Sequence, residues 1–203
     1  MASLTLEGHI FGNGGRVLVI AEIGTAHSGS IEKAKDLVRA ARDAGADSAK
    51  FQMVYADEIL HPDTGFVPLP GGPVSLYERF RSLELPVDFY REMAGFCEEC
   101  GLLFLCTPFG VRSARELATL RPPAVKIASP ELNHLPLLRE TAAMGVPLIL
   151  STGVSRLSDI ERALELTSQA PARALLHCVT SYPAPETDYT VSVDALLQAM
   201  LRN

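Results

Sequence analysis

Two side chains that could perform acid–base chemistry lie near the amino terminus, each beside a predicted strand. Glu22 follows the apolar run of residues 17–20 and precedes Gly24, a pattern typical of a buried strand that ends in a polar loop. Lys50 lies near the end of the next apolar segment, with Gln52 two residues further on. A helix between these segments would make the strands parallel, so that their carboxyl ends share one rim. We therefore predict that the acid Glu22 and the base Lys50 lie together at one rim of the sheet, facing one opening.

The helix that connects the two strands is marked at both ends. Ser30 can cap its start, Glu32 lies favourably in its first turn, and Gly45 can end it in a left-handed conformation. Its apolar residues recur at helical spacing and predict a buried stripe of Ile31, Ala34, Val38 and Ala41.

Further polar side chains follow the later predicted strands. Lys126 lies between Val125 and Ile127 in an apolar run, and a buried lysine needs a partner. Cations and hydroxyl groups that are already in place bind phosphate and carboxylate well. We therefore predict that Lys50 and Lys126 share an anion site at the carboxyl-terminal rim. The other polar residues at predicted strand ends are Thr107, Ser129, Ser151, Thr152 and residues 177–182.

Each of these side chains also has a structural interpretation. Lysines at strand ends are often solvated, Glu22 could be a lone surface acid, and Ser and Thr commonly serve turns or caps. His27, His134 and His177 lack the HxxxH or HxH spacing of paired metal ligands. A lone histidine is more often a structural residue than a ligand.

Cys97 and Cys100 have the CxxC spacing of some metal and redox sites. Both continue an apolar helical stripe that begins at Phe89, and no second pair completes a zinc tetrad. We interpret them as buried thiols, because free cysteine commonly behaves as a small hydrophobe.

Predicted strands and helices alternate through the second half of the chain, which is typical of a parallel sheet. Gly101 and Gly145 lie where helices should end, and Ser158 with Glu161 suggests a capping box. Polar residues follow many strands and no Gly-x-Gly-x-x-Gly follows the first, so an α/β fold of the (β/α) barrel type is favoured over a doubly wound sheet. About six of the eight βα units of such a barrel are present. The predicted strands are 102–106, 124–128, 147–150 and 172–177, and the predicted helices are 88–100, 111–120, 134–144, 158–168 and one from about 192.

Two segments fall outside this alternation. Residues 4–10 and the glycine-rich residues 12–15 predict a short amino-terminal hairpin that leads into the first strand. Residues 53–87 are rich in turn formers, with one helical turn at 76–80, and predict a long irregular passage. We expect this passage to be a mobile lid over the mouth.

Composition excludes several classes of function. With 203 residues, 47% of them hydrophobic and 21% charged, the chain is typical of a soluble globular protein. The net charge of −6 and the scattered basic residues argue against nucleic-acid binding. No apolar run is long enough to span a membrane, and the first ten residues do not resemble a signal peptide. We expect a cytoplasmic protein with small-molecule substrates, and a homodimer is among the expected assemblies.

Several segments, in this order and spacing, resemble the N-acetylneuraminate (sialic acid) synthase family: AEIGTAHSGS, GADSAKFQ, FLCTPF, VKIASPELNHLPLL, ILSTGVS and LLHCVTSYPAP. The resemblance runs from about Val17 to the end of the chain. It implies a barrel enzyme that condenses phosphoenolpyruvate with N-acetylmannosamine or a related N-acetylated amino sugar and releases phosphate. It also implies a divalent metal, usually manganese or magnesium.

The resemblance further implies roles for single residues. Glu22 would be catalytic, close to the metal and the reacting carbons, where it positions water or the aldehyde. His27 matches a histidine of the family's first loop, but Ala26 replaces the usual asparagine. Residues 178–180 also depart from the family pattern, which leaves the sugar and one phosphate contact open. Phosphoenolpyruvate would be held by Lys50, Thr107, Lys126, Ser129 and Ser151, and the sugar by Gln52, Glu131 and Tyr182.

Members of the family continue into two more strands and an antifreeze-like domain. We therefore interpret residues 1–203 as a single, incomplete barrel domain without that second domain. The Ser-Asp-His-Thr and Glu-Lys-His-Phe motifs, which carry the family's metal-binding histidines, are missing from the sequence, so we predict no metal ligand in this chain. On this interpretation we expect open sheet edges, self-association or loosened packing, and no family-like turnover by the chain alone.

Two alternative functions stay open. One is a different phosphoenolpyruvate-condensing barrel that acts on a sugar phosphate such as arabinose 5-phosphate, although we find no basic cluster for a second phosphate. The other is a non-catalytic fragment or interaction module that retains the fold.

Overall fold

The computed structural model describes residues 3–12, 15–69, 72–181, 183–190 and 192–201. The chain divides into two compact units. The central unit is Leu18–Pro122, and the terminal unit combines Met1–Val17 with Pro123–Asn203. Within the described ranges, none of the helices combines the length and apolarity that a membrane crossing requires.

The terminal unit begins with an antiparallel hairpin of β1 (Ser3–Leu6) and β2 (His9–Gly12). Its turn lies at Glu7 and Gly8, whose φ angles are 46° and 83°. Two consecutive left-handed residues suit a two-residue hairpin turn. The predicted hairpin is therefore confirmed, but its turn precedes the glycine-rich residues 12–15. Asn13 and Gly14 of that segment lie outside the described residues.

The central unit is built on three parallel strands, of which the middle one, β4, pairs with β3 and β7. Helices connect the strands, as the alternating pattern predicts. In chain order the elements are β3 (Ile20–Gly24), α1 (Ile31–Asp43), β4 (Ser48–Met53), α2 (Ala56–Ile59), β5 (Phe66–Leu69), β6 (Gly72–Ser75), α3 (Leu76–Arg81), α4 (Val87–Glu99), β7 (Leu103–Pro108) and α5 (Val111–Ala118).

The strand predicted at residues 17–20 lies instead at Ile20–Gly24. The backbone of Val19 is engaged by Asp47, whose carboxylate accepts the Val19 N–H at 2.7 Å and whose own N–H donates to the Val19 carbonyl at 2.9 Å. Val17 is exposed. Glu22 therefore lies within the strand rather than in a loop after it, and the strand holds its side chain in a fixed direction.

Helix α1 has the ends that the sequence predicts. Ser30 accepts the Lys33 N–H at 3.2 Å, and Gly45 has a φ of 80°. Ala34, Val38 and Ala41 are buried. Ile31 is exposed at the start of the helix, so its predicted place in the buried stripe is wrong.

Cys97 of α4 is a free, buried thiol, as predicted. Burial raises its pKa to about 12, so the thiol stays protonated and unreactive at neutral pH. Cys100 is free and half-buried at the end of the same helix.

Residues 54–69 and 72–85, which we call the cap segment, are more regular than the turn-rich sequence predicts. They contain α2, the antiparallel hairpin β5–β6 and α3. The helical turn expected at residues 76–80 is confirmed by α3. The prediction of an irregular passage is wrong, because glycine and proline here end several short elements instead of preventing them.

Acidic side chains of the cap segment satisfy the exposed amides at two helix amino termini. The Glu58 carboxylate accepts the Arg112 N–H at 2.5 Å and the Ser113 N–H at 2.9 Å, at the start of α5. Glu84 accepts the Ala56 N–H at 2.8 Å, at the start of α2. Glu58 can approach α5 so closely because a Cβ at Gly110 would lie only 2.3 Å from its carboxyl carbon.

Tyr55 adds a further contact between the cap segment and α5. Its hydroxyl donates to Glu116, and the Arg112 guanidinium lies 3.8 Å from the centre of its ring. Burial, followed by the contact with Glu116, raises the pKa of Tyr55 to about 12. The phenol therefore remains a donor at neutral pH. The mobility of the cap segment stays a prediction.

We expect Glu58→Gln to lower the free energy of unfolding by about 0.5–2 kcal/mol, the usual cost of a lost helix cap. The amide cannot supply the charge that two backbone N–H groups share. Hydrogen exchange at Arg112 and Ser113 should accelerate, together with exchange in α2. Glu92→Gln is the matched control, because Glu92 pairs with Lys35 on the surface at 2.7 Å and such pairs contribute less than about 1 kcal/mol. Equal effects of both variants on stability and exchange would contradict this assignment.

The second part of the terminal unit contains three more parallel strands, with β9 between β8 and β10. Its elements are β8 (Val125–Ile127), a 3-10 turn at Ser129–Glu131, α6 (Leu135–Ala142), β9 (Leu148–Ser151), α7 (Leu157–Leu166), β10 (Arg173–Leu176), a 3-10 turn at Glu186–Asp188 and α8 (Ser192–Met200). These strands and helices match the predicted ones within a few residues at each end.

The capping box predicted at Ser158 and Glu161 is wrong. Helix α7 begins at Leu157, which places Ser158 inside the first turn. Instead, the Asp159 carboxylate accepts the Arg156 N–H at 2.9 Å. An acidic side chain two residues after Leu157 thus caps the amino terminus of α7.

Candidate functional site

The central unit places Glu22 and Lys50 in direct contact. The two residues are paired in register on β3 and β4, and the Lys50 ammonium donates to the Glu22 carboxylate. Only 11% of the Lys50 side chain is exposed, compared with 49% of the Glu22 side chain. The predicted acid and base therefore meet, and the acid is the partner that solvent or a substrate can reach.

Strand alternation brings two more predicted residues to the same face. Gln52 lies two residues after Lys50 on β4 and is paired in register with Thr107 on β7. Alternate residues of a strand share a face, so Lys50, Gln52 and Thr107 form a polar row. The intervening residues Ala49 and Phe51 are buried on the opposite face. The pleat therefore places these three polar side chains on the face opposite Ala49 and Phe51.

Gly24 belongs to this cluster although only its loop position drew attention in the sequence. A Cβ on Gly24 would lie 3.3 Å from a carboxylate oxygen of Glu22 and 3.7 Å from the side chain of Gln52. The backbone is left-handed there, with a φ of 54°. The glycine thus lets the chain turn immediately beside the acid.

The terminal unit holds a second cluster around Lys126. The buried ammonium donates to the Ser151 hydroxyl and, at 2.8 Å, to the Ile127 carbonyl. The lysine therefore has the partners that its place in an apolar run requires. Ser129 lies beside this strand end, and its hydroxyl accepts the Gly153 N–H at 3.1 Å.

Gly153 was not among the predicted site residues. A Cβ there would lie 2.6 Å from the Thr180 methyl carbon, 2.9 Å from the Ser129 hydroxyl and 3.2 Å from the Cys178 Cβ. The glycine therefore permits three chain segments to meet in the terminal unit. The signal that could have found it is its position directly after a strand end that already carries Ser151 and Thr152.

Glu131, predicted to face the sugar, has a local partner in the structure. Its carboxylate lies 3.3 Å from Nδ1 of His134. Tyr182, the other predicted sugar residue of the terminal unit, lies outside the described residues. The roles of both residues stay predictions.

His177 is a structural residue, as its isolated sequence position suggests. His177 directly follows Leu176, the last residue of β10, which is paired in register with Ser151. Its Nδ1 lies 3.1 Å from the Asp194 carboxylate of α8. The contact ties the end of β10 to this helix.

The described ranges contain no group of three or more His, Cys, Asp or Glu side chains that could hold a metal ion. These described residues therefore do not by themselves form the metal centre that the resemblance implies.

Each cluster has a definite chemical capacity. The central cluster offers a carboxylate that can accept a proton from water or hold it in place, next to a cation that can bind an anionic group. The terminal cluster offers a buried cation in contact with the Ser151 hydroxyl, a combination that suits phosphate or carboxylate. The prediction that Lys50 and Lys126 share one anion stays a prediction.

Comparison with known proteins gives one family. The model of the NeuB family matches residues 37–201. The spore coat polysaccharide biosynthesis protein SpsE of Bacillus subtilis is 37% identical over an alignment of 203 positions, which covers 98% of this chain and 54% of that protein. The N,N'-diacetyllegionaminic acid synthase of Campylobacter jejuni is 35% identical, in a match that covers 84% of this chain and 53% of that protein. The chain thus spans about half the length of the curated relatives it matches.

Solved structures agree on the fold. The N-acetylneuraminic acid synthetase of Leptospira borgpetersenii, crystallised with citrate, matches with a TM-score of 0.87 at 28% identity, over 98% of this chain and 66% of that one. A truncated 3-deoxy-D-arabino-heptulosonate 7-phosphate synthase of Thermotoga maritima matches with a TM-score of 0.66 at 12% identity, over 97% of this chain and 65% of that one. The second likeness shows the fold alone. Together these matches confirm the α/β fold of the barrel type.

Proposed function

The chain belongs to the NeuB family, and from that premise we propose that it supplies the phosphoenolpyruvate-binding part of a synthase that condenses phosphoenolpyruvate with an N-acetylated amino sugar. The methylene carbon of phosphoenolpyruvate would attack the sugar aldehyde, water would add at C2, and phosphate would leave. Such a transferase forms a C–C bond in carbohydrate biosynthesis.

The observation that carries this proposal is the buried ammonium of Lys126 against the hydroxyl of Ser151. A lysine is seldom buried so deeply unless it is paired, and here the Ser151 hydroxyl and the Ile127 carbonyl are among its partners. A bound phosphate or carboxylate would place its negative charge beside this ammonium. Ser129 and Ser151 would then donate hydroxyl hydrogens to the same anion.

The central cluster supports the steps that involve water and the sugar. Lys50 and Thr107 would contribute further contacts to phosphoenolpyruvate, and Glu22 would position the water or the aldehyde with its more exposed carboxylate. Gln52 on the same face would bind sugar hydroxyl or amide groups. The N-acetylated sugar is proposed because the C. jejuni relative is an N,N'-diacetyllegionaminic acid synthase. The sugar itself, the divalent metal, cytoplasmic residence and dimer formation are expectations carried over from the sequence.

Titration calorimetry tests the proposal on the chain as it exists. We expect saturable, one-to-one binding of phosphoenolpyruvate, with pyruvate and inorganic phosphate both binding much more weakly because each supplies only one of the two anionic groups. Phosphate release with N-acetylmannosamine and manganese can then be followed in the same preparation. Phosphoenolpyruvate that binds no more tightly than pyruvate would contradict the proposed function.

A further inference from the structure

His27 lies in the tight loop that connects β3 to α1 in the central unit. Three residues of this loop have left-handed backbone angles: Gly24 with a φ of 54°, Ser28 with 51° and Gly29 with 80°. Serine adopts this conformation far less readily than glycine, so the surrounding contacts must hold the loop in shape.

The imidazole of His27 is one source of those contacts. The residue is only 2% exposed, and its ring packs against Phe89 at 4.7 Å and Phe51 at 6.0 Å between ring centres. Its Nδ1 accepts the backbone N–H of Gly29 at 3.1 Å. The ring thus bonds to the end of the loop while two aromatic residues from β4 and α4 fix its position.

The state of the other ring nitrogen, Nε2, determines whether Nδ1 can accept a hydrogen bond. Nε2 is buried and has no hydrogen bond to any described residue, although the Gly24 carbonyl lies close enough to influence the ring. Burial lowers the pKa of His27 from its ordinary value, an effect that this carbonyl offsets in part and that Lys33 strengthens slightly. The ring is therefore neutral, with the hydrogen on Nε2 and a free lone pair on Nδ1 for Gly29.

The start of the same loop touches the acid of the central cluster. The pairing of β3 with β4 shifts register between Glu22 and Gly24, which marks a bulge at Ile23. A bulge re-aims the neighbouring side chains. Because Gly24 lies against the Glu22 carboxylate, the path of the loop determines where that carboxylate points.

We propose that His27 is a positioning residue: by accepting the Gly29 amide through Nδ1 it fixes the loop of residues 24–29, and thereby the contact between Glu22 and Lys50. Its importance for catalysis rests on the proposed function, but its effect on this contact does not. The contact can be measured without any substrate.

Lysine ammonium groups give a direct readout. The chain has only four lysines, Lys33, Lys35, Lys50 and Lys126. In proton–nitrogen correlation spectra, ammonium groups that are buried and bonded exchange slowly enough to be seen, so Lys50 and Lys126 should give signals. Lys50→Arg assigns the first signal, Glu22→Leu should abolish it by removing the acceptor, and the Lys126 signal serves as the internal reference.

Variants at His27 separate hydrogen bonding from packing. His27→Asn retains an acceptor that can reach an N–H two residues ahead, as asparagine does in Asx turns, and should keep the Lys50 signal. His27→Phe fills the ring site without an acceptor and should lose it. His61→Leu is the matched control, because Nδ1 of His61 accepts the Asp63 N–H at 3.2 Å in the same way but in an exposed turn. It should leave both signals unchanged.

A Lys50 signal that persists in His27→Phe would overturn the proposal. If His27→Asn lost the signal at the same time, ring packing alone would explain the effect of His27. If one variant fails to fold, which the loss of the Lys126 signal reports, the other still decides between acceptor and packing. If the chain binds no phosphoenolpyruvate while the Lys50 signal follows these expectations, the proposed function fails and the positioning role stands.

Discussion

Lys126→Met is expected to weaken phosphoenolpyruvate binding about 10- to 150-fold, because a hydrogen bond to a charged group contributes about 1.5–3 kcal/mol. Methionine has nearly the length of the lysine stem and fits the apolar strand between Val125 and Ile127. It removes the ammonium that contacts Ser151. The measurement is titration calorimetry with parent and variant under identical salt conditions, since screening affects ionic contacts.

We expect the melting temperature of the variant to fall, because the Ser151 hydroxyl and the Ile127 carbonyl lose their buried donor. The titration is therefore performed well below that melting temperature, so that affinity is compared between folded chains. Lys33→Met is the matched control, because Lys33 is exposed on α1. Unchanged affinity in Lys126→Met, or an equal loss in both variants, would show that Lys126 does not bind the anion.

Gly153→Ala should have the largest effect of any single methyl group added to this chain's terminal cluster. The new Cβ would collide with the Thr180 methyl carbon at 2.6 Å and with the Ser129 hydroxyl at 2.9 Å. Overpacking of this kind lowers stability by about 1–3 kcal/mol. The melting temperature should fall by about 2–12 °C, given the usual conversion for a chain of this size.

Two further variants test whether the collision is the cause. Gly95→Ala adds a methyl group to the exposed side of α4, where a Cβ meets nothing within 4 Å, and should raise stability by about 0.5–1 kcal/mol. Thr180→Ser removes the nearest colliding atom and should recover part of the loss when it is combined with Gly153→Ala. A parent-like melting temperature for Gly153→Ala alone would mean that the segments at Thr180 and Ser129 can move apart at little cost.

The order of strands and helices could be predicted from the sequence because each element carries a local signal. Gly101 and Gly145 end their helices with φ angles of 71° and 70°, as expected from their positions. The failures occurred where a distant side chain decides the outcome. Asp47 captures the backbone of Val19 and moves the start of β3, and Glu58 caps a helix 54 residues further along the chain. No window of neighbouring residues contains such information.

Predictions for the site divide in the same way, between local signals and contacts that distant residues decide. That Glu22 and Lys50 share one rim could be predicted, because parallel strands align their ends, but their direct contact could not. For Lys126 the sequence indicated that a buried lysine needs a partner, but it did not identify Ser151 as that partner. Gly24 and Gly153 were missed as site residues, because their role is the space that they leave for side chains from other segments.

The closeness of Glu58 to Gly110 also constrains how this chain can change over time. Any side chain at position 110 would occupy the space of the Glu58 carboxylate, so the effect of a substitution at one position depends on the residue at the other. Gly110→Ala should be strongly harmful while Glu58 is present and far less so once a shorter residue stands at 58. The two sites are therefore epistatic: a lineage that loses the acid first can accept a larger residue at 110, whereas the reverse order passes through a poorly folded intermediate.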